Sequence, residues 1–195
     1  VQGSSGEASG IGDTKIVQHW LKLADSGTQM VEAILYKSNE TVVFRVLRWE
    51  DVNQSWYQVG ESLSRRAGTS EPIDISWSGD ENIFAISIPS VSGNSTQVEL
   101  VQVSNASLAT MEAKEDFEPG GAMLHWSDEI HLNIYANAKV FVFNTTANET
   151  WSPVSVRDMP KDSILATSND FNRIALASTI GLSICEAVVG GNWTV

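Results

Sequence analysis

Cysteine is nearly missing from this chain. One residue in 195, Cys185, cannot form an internal disulfide, which excludes a disulfide-framed miniprotein. Basic residues are scarce too. Twelve Lys and Arg stand against 24 Asp and Glu, a formal net charge of -12, the wrong sign for neutralising a phosphate backbone, so nucleic acid is not expected as a partner. No apolar run reaches the ~18 residues that a membrane-spanning helix needs, so no transmembrane segment is expected within this sequence. Charged residues make up 18% and hydrophobic ones 42%, a balance too apolar for intrinsic disorder, so the chain reads as a soluble folded protein with a real core. Helical periodicity is almost absent. Ile16 to Ala24 is the only candidate, closed by the turn signal Asp25-Ser26-Gly27.

The spacings that carry catalysis are also missing. His19, His125 and His131 show no H-E-x-x-H or Cys-His arrangement, and no Gly-x-Ser-x-Gly elbow, phosphate-cradling Gly loop or Ser-Asp-x-Gly-x-Thr-Trp box occurs. Glu115 and Asp116 are adjacent carboxylates, but neighbours on a strand point to opposite faces and cannot flank one substrate. Cys185 lies in an apolar run with no basic residue nearby to depress its pKa, and reads as a small core residue. No catalytic or cofactor-binding residue is assigned, and the chain is not expected to be an enzyme.

What is present is strand. Val42-Val43-Phe44-Arg45-Val46-Leu47-Arg48-Trp49 and Val98-Glu99-Leu100-Val101-Gln102-Val103 are rich in β-branched and aromatic residues and are bounded by Asn, Ser, Gly and Asp. A strand-turn-Trp unit recurs, with its Trp or Leu at 56, 108, 151 and 193, spacings of 52, 43 and 42 residues. A second unit recurs out of phase with it: Ile75-Ser76-Trp77-Ser78 before Ile83-Phe84-Ala85-Ile86-Ser87, Leu124-His125-Trp126-Ser127 before Leu132-Asn133-Ile134, and Ala166-Thr167-Ser168 before Ile174-Ala175-Leu176. A period of about 40 to 50 residues holding four short strands is that of a β-propeller blade. The expected fold is all-β: about four blades of a β-propeller, part of a larger ring, with a β-sandwich as the alternative. Residues 1–13 read as a Gly/Ser-rich linker and 14–195 as blades at 16–60, 63–113, 117–159 and 163–195, the last incomplete at Trp193-Thr194-Val195.

The Ile75-Ser76-Trp77-Ser78 and Ile83-Phe84-Ala85-Ile86-Ser87 pair, with Lys139-Val140-Phe141-Val142-Phe143-Asn144 closing the next blade, resembles degenerate WD40-type blades. Trp56-Tyr57-Gln58-Val59-Gly60 through Ile86-Ser87-Ile88-Pro89 resembles the FG-GAP-like blades of extracellular propellers. Either resemblance implies a propeller and leaves the ligand open.

Seven of the twelve asparagines open an N-x-[ST] triplet: Asn39, Asn53, Asn94, Asn105, Asn144, Asn148 and Asn192. With Ser and Thr near a fifth of the residues, chance gives about two. Each lies in an expected turn or at a strand edge, where a glycan can stand in solvent, although repeated blades also reuse Asn, Ser and Thr as turn residues. Asp51, Asn53 and Ser55 alternate like the start of a calcium loop, so calcium is the one cofactor the sequence raises; without the Gly and the distal carboxylate, the stretch reads as a solvated turn. Trp56, Trp77, Trp126, Trp151 and Trp193 recur at equivalent places and read as core, with Trp20 and Trp49 outside the register.

These features describe a non-enzymatic binding or scaffold module for protein or glycan partners, in a secreted, cell-surface or lumenal glycoprotein. Its binding face would comprise the loops at 90–95, 115–121 and 158–162. An intracellular (cytoplasmic) WD40-like scaffold and a non-catalytic part of a propeller enzyme are the alternatives. The module is expected to contact the rest of a larger propeller or complex.

Overall fold

The structure, a computed structural model, describes residues 16–36, 40–68, 73–104, 107–146, 153–158, 163–167, 173–178, 181–187 and 193–194. Strands follow one another in four groups. The first is β1 (Ile16–Leu23), β2 (Gln29–Tyr36), β3 (Thr41–Glu50) and β4 (Ser55–Arg66); the second is β5 (Asp74–Trp77), β6 (Ile83–Pro89), β7 (Thr96–Val103) and β8 (Leu108–Phe117). The third is β9 (Met123–Trp126), β10 (His131–Ala136), β11 (Lys139–Asn144) and β12 (Pro153–Asp158); the fourth is β13 (Ser163–Thr167), β14 (Arg173–Ser178), β15 (Gly181–Ala187) and β16 (Trp193–Thr194). Each group is one antiparallel sheet with its strands in chain order. A sandwich would need two sheets built across the chain; four local meanders are found instead. Among the described residues there is no helix long and apolar enough to cross a membrane.

Alternation along the strands sets the packing. In the second sheet Phe84, Ile86 and Ile88 point to one face and join Phe44, Val42 and Leu35 of the first sheet, all at most 3% exposed. Ala85, Val98 and Leu100 point to the other face and join Leu132, Ile134 and Phe143 of the third sheet, all fully buried. The second sheet is therefore covered on both sides, which is why β6 reads as a continuous apolar run. Each of the larger side chains, Val, Leu, Ile or Phe, contributes about 1.5–3 kcal/mol by leaving water.

Polar contacts tie the sheets together along their edges. Arg65 Nε on β4 donates to Glu99 Oε2 on β7 at 2.9 Å, with the Glu99 carboxylate buried. Asp74, at the start of β5, accepts the backbone N–H of Leu124 on β9 at 2.7 Å and that of Ile75 at 2.9 Å. Gly68 N–H donates to Pro89 O at 2.8 Å, and a Cβ at Gly68 would lie 2.4 Å from Ser90 O, so the connection out of the first sheet passes the 90–95 turn at a distance only glycine allows.

Ile16–Leu23, within the one stretch of helical spacing, is the first strand of the first blade, pairing with β2 through Trp20↔Ala33 and Lys22↔Val31. Two expectations are corrected here. Leu63 to Arg66 finish β4, pairing with β3 through Phe44↔Leu63 and Thr41↔Arg66, where the spacing had suggested that a second blade begins. Glu115, Asp116 and Phe117 belong to β8, paired with Val98, Gln97 and Thr96, and are not a loop between blades.

Candidate functional site

The same local geometry ends the first strand of three sheets. Lys22-Leu23-Ala24, Ser76-Trp77-Ser78 and His125-Trp126-Ser127 are equivalent, because Ala24, Ser78 and Ser127 each donate a backbone N–H across the following turn, to Gln29 O, Ile83 O and His131 O at 2.8, 2.9 and 3.0 Å. The indoles in this register link neighbouring sheets. Trp77 Nε1 donates to Lys22 O and Trp126 Nε1 donates to Ser76 O, each at 3.1 Å. Both indoles are buried, 8% and 6% exposed, so these tryptophans form core with their one polar atom satisfied.

A groove of about 400 Å³ runs along this end of β1, β5 and β9. Lys22, Asp25, Ser76, Gly79, His125 and Asp128 line it beside the two indoles. Three turn carboxylates at this end, Asp128, Asp80 and Glu81, already hold hydrogen-bond donors. Asp128 is held below the usual carboxylate range by the His131 ring, whose Nδ1 lies 2.7 Å from Oδ2, and by the backbone N–H groups of Ile130 and His131. For Asp80, burial pushes the carboxyl up, but hydrogen bonds from Ser78 Oγ and from the side chain and backbone of Asn82 outweigh it and bring it below the usual range. Glu81 accepts from Ser26 N at 2.6 Å and Ser26 Oγ at 2.7 Å, fastening the β5–β6 turn to the β1–β2 turn. Deeper, Asp74 is pushed up by burial against the two backbone N–H groups and the Lys22 charge, which pull it down.

The residues singled out by sequence are scattered. In a meander, the first and third turns lie at one end of a blade while the second turn and the connection to the next blade lie at the other, so the 90–95 and 118–121 loops face away from this groove. Residues 159–162 lie outside the described residues, as do Asn39, Asn105, Asn148, Asn192 and Trp151. Asn53 and Asn94 stand exposed in turns. Asn144 ends β11, and its Oδ1 accepts from Thr146 N at 2.9 Å and Thr146 Oγ1 at 2.7 Å. At the calcium-like stretch, Asp51 Oδ1 accepts from Trp49 Nε1 at 2.8 Å, Asn53 Nδ2 donates to Glu50 Oε2, and Ser55 opens β4. Trp56 departs from its expected place in the core. It is 36% exposed, edge-on to Trp49 at 5.6 Å between centroids, because its strand pair Trp49↔Trp56 lies beyond the last β3 residue that β2 covers, Arg48. His19 Nε2 and Glu32 Oε1 are 2.9 Å apart on the face of the first sheet, far in sequence from the other two histidines. Lys22, Asp25, Ser76 and Gly79 were missed by sequence reasoning; aligning positions against the turn Ser of each repeat would have found them.

Four successive four-stranded meanders, stacked face to face where their cores are described, define blades of a β-propeller. Solved structures agree. The chain aligns over its whole length with 57% of a Bacteroides fragilis protein provisionally described as a 6-phosphogluconolactonase, at TM-score 0.54 and 14% identity. It aligns over 90% of its length with 35% of the dihydro-heme d1 dehydrogenase NirN solved with DHE, at TM-score 0.51 and 12% identity. These are propeller-type folds, and the chain spans little more than half of the first and about a third of the second. No protein-family model matches the chain, and no curated protein matches it by sequence.

Proposed function

We propose that the chain is part of a β-propeller that acts as a non-enzymatic binding module, with its recognition site in the groove at the turn end of β1, β5 and β9. The observation carrying this reading is that groove itself, about 400 Å³, built from equivalent positions of three blades. Its size suits one or two side chains of a partner, and its walls stand on strands held by the Trp77 and Trp126 hydrogen bonds, so little ordering is needed on binding. This relocates the binding face from the 90–95 and 115–121 stretches to the opposite end of the blades.

The WD40-like or FG-GAP-like character of the blades belongs to this proposal, as does a secretory glycoprotein setting, which the exposed turn positions of Asn53 and Asn94 support. The test is a scan with surface substitutions at the two ends of the blades, read by capture of a partner and by glycopeptide mass spectrometry of native material. Substitutions at the groove end abolish capture and those at 90–95 leave it intact if the reading is right; the reverse pattern refutes it. Unmodified Asn39, Asn94 and Asn105 together would remove the glycoprotein setting. The names of the two solved neighbours supply a second reading, part of a propeller enzyme. An activity screen on the full-length protein decides between the two.

A further inference from the structure

We propose that the groove at the turn end of β1, β5 and β9 receives a lysine or arginine side chain presented by a segment of a partner protein. The inference rests on the binding-module reading and adds the chemistry of the occupant. Three acceptors at the groove are unspent. Ser76 is 6% exposed and lines the groove, and its hydroxyl makes no hydrogen bond to another described residue. Asp25 lines the same groove, is exposed, and accepts nothing from the described residues. Glu129, the third, is an exposed carboxylate that accepts nothing from the described residues, and its Cγ would lie 3.7 Å from a Cβ at Gly79 in the groove wall.

The Ser76 hydroxyl, unbonded among the described residues, adds a neutral acceptor to the groove wall. The fixed charge selects the kind of donor. Asp25, Asp80, Glu81, Asp128 and Glu129 surround this end, where Lys22 is the one lysine or arginine among the described residues lining the groove, so negative charge prevails. A cationic group therefore gains charge-assisted hydrogen bonds to Asp25 and Glu129, which no other described residue satisfies, and a carboxylate ligand is repelled. The indole walls, with no N–H to spare, accommodate the aliphatic stem of such a side chain. Attachment to a partner segment follows from the groove's opening to solvent, which lets a side chain enter while its own backbone stays outside.

The experiment is isothermal titration of the full chain at low salt with N-acetylated, C-amidated nonapeptides of glycine and serine around one central arginine, lysine or citrulline. The arginine and lysine peptides bind saturably and the citrulline peptide at least ~10-fold more weakly, the uncharged isostere having lost the charge-assisted bonds. The double substitution Asp25→Asn with Glu129→Gln weakens the arginine peptide by a similar factor, Ser76→Ala weakens it less, and Glu50→Gln at the end of β3 changes nothing. Equal binding of arginine and citrulline peptides overturns the cationic occupant while the binding-module reading stands. Equal binding by wild type and the double variant places the site elsewhere, and absence of saturable binding at millimolar peptide overturns the proposal outright. Arginine amide displacing the peptide at equal concentration replaces the partner segment by a free small cation.

Discussion

Replacing Trp126 with Phe tests how adjacent blades are held together. The ring stays, but the donor to Ser76 O at 3.1 Å is removed from a site only 6% exposed. Leaving that carbonyl without its partner costs about 1–3 kcal/mol. The smaller ring leaves a void worth about 1 kcal/mol more at ~24 cal/mol per Å³. Together these predict a loss of about 3 kcal/mol in urea unfolding followed by far-UV circular dichroism at neutral pH, a large share of the stability of a domain this size. Trp77→Phe removes the equivalent bond to Lys22 O and should cost a similar amount. Because the Trp126 acceptor is the carbonyl of the residue next to Trp77 and both indoles line one groove, the double variant should depart from the sum of the two losses by about 0.5 kcal/mol or more. A loss below about 0.5 kcal/mol for either single variant refutes the reasoning, since it would place the indole bonds among surface contacts of no consequence.

Three further outcomes follow from the geometry. Gly68→Ala drives a methyl to 2.4 Å from Ser90 O and should destabilise by about 1–3 kcal/mol, measured by thermal unfolding. Asn137 and Ala138 close the two-residue β10–β11 hairpin with φ of 55° and 57°, so Ala138→Gly relieves a left-handed alanine and should stabilise by about 0.5–1 kcal/mol after the entropic cost of glycine; any destabilisation contradicts the turn geometry. Asp74 titrates above its unfolded value because burial favours the neutral acid, so the folded state binds more protons and stability from this group falls as pH rises from the ordinary carboxyl range through its raised folded value. Measured against Asp74→Asn across that window, the wild type should lose ground with rising pH; a gain would show that the two backbone N–H bonds outweigh burial.

The repeat made much of the architecture legible, because each blade is a local meander and its hairpins write their turns into contiguous sequence. Trp77 and Trp126 announced themselves before the turn Ser of successive repeats, and the structure gives them one shared task. Features that depend on neighbours far along the chain were harder to read. Ile16 to Ala24 carries apolar residues at helical spacing, and only pairing with β2 settles it as a strand. Trp56 looked like core by its place in the repeat, yet β2 stops covering β3 at Arg48 and leaves the Trp49–Trp56 pair at the rim. The groove was hidden for the same reason. Lys22, Ser76 and His125 sit about 50 residues apart in sequence, and nothing local to any one of them signals a shared cavity.

The central claim is that the turn end of β1, β5 and β9 is the recognition face. Two-dimensional ¹H–¹⁵N spectra of the seven indole N–H groups during titration with the central-arginine peptide test it most directly. The Trp77 and Trp126 signals should shift with a common saturation curve while those of Trp49 and Trp56, at the β3–β4 rim, stay in place. Shifts confined to Trp49 and Trp56, with Trp77 and Trp126 unmoved at saturation, would contradict it.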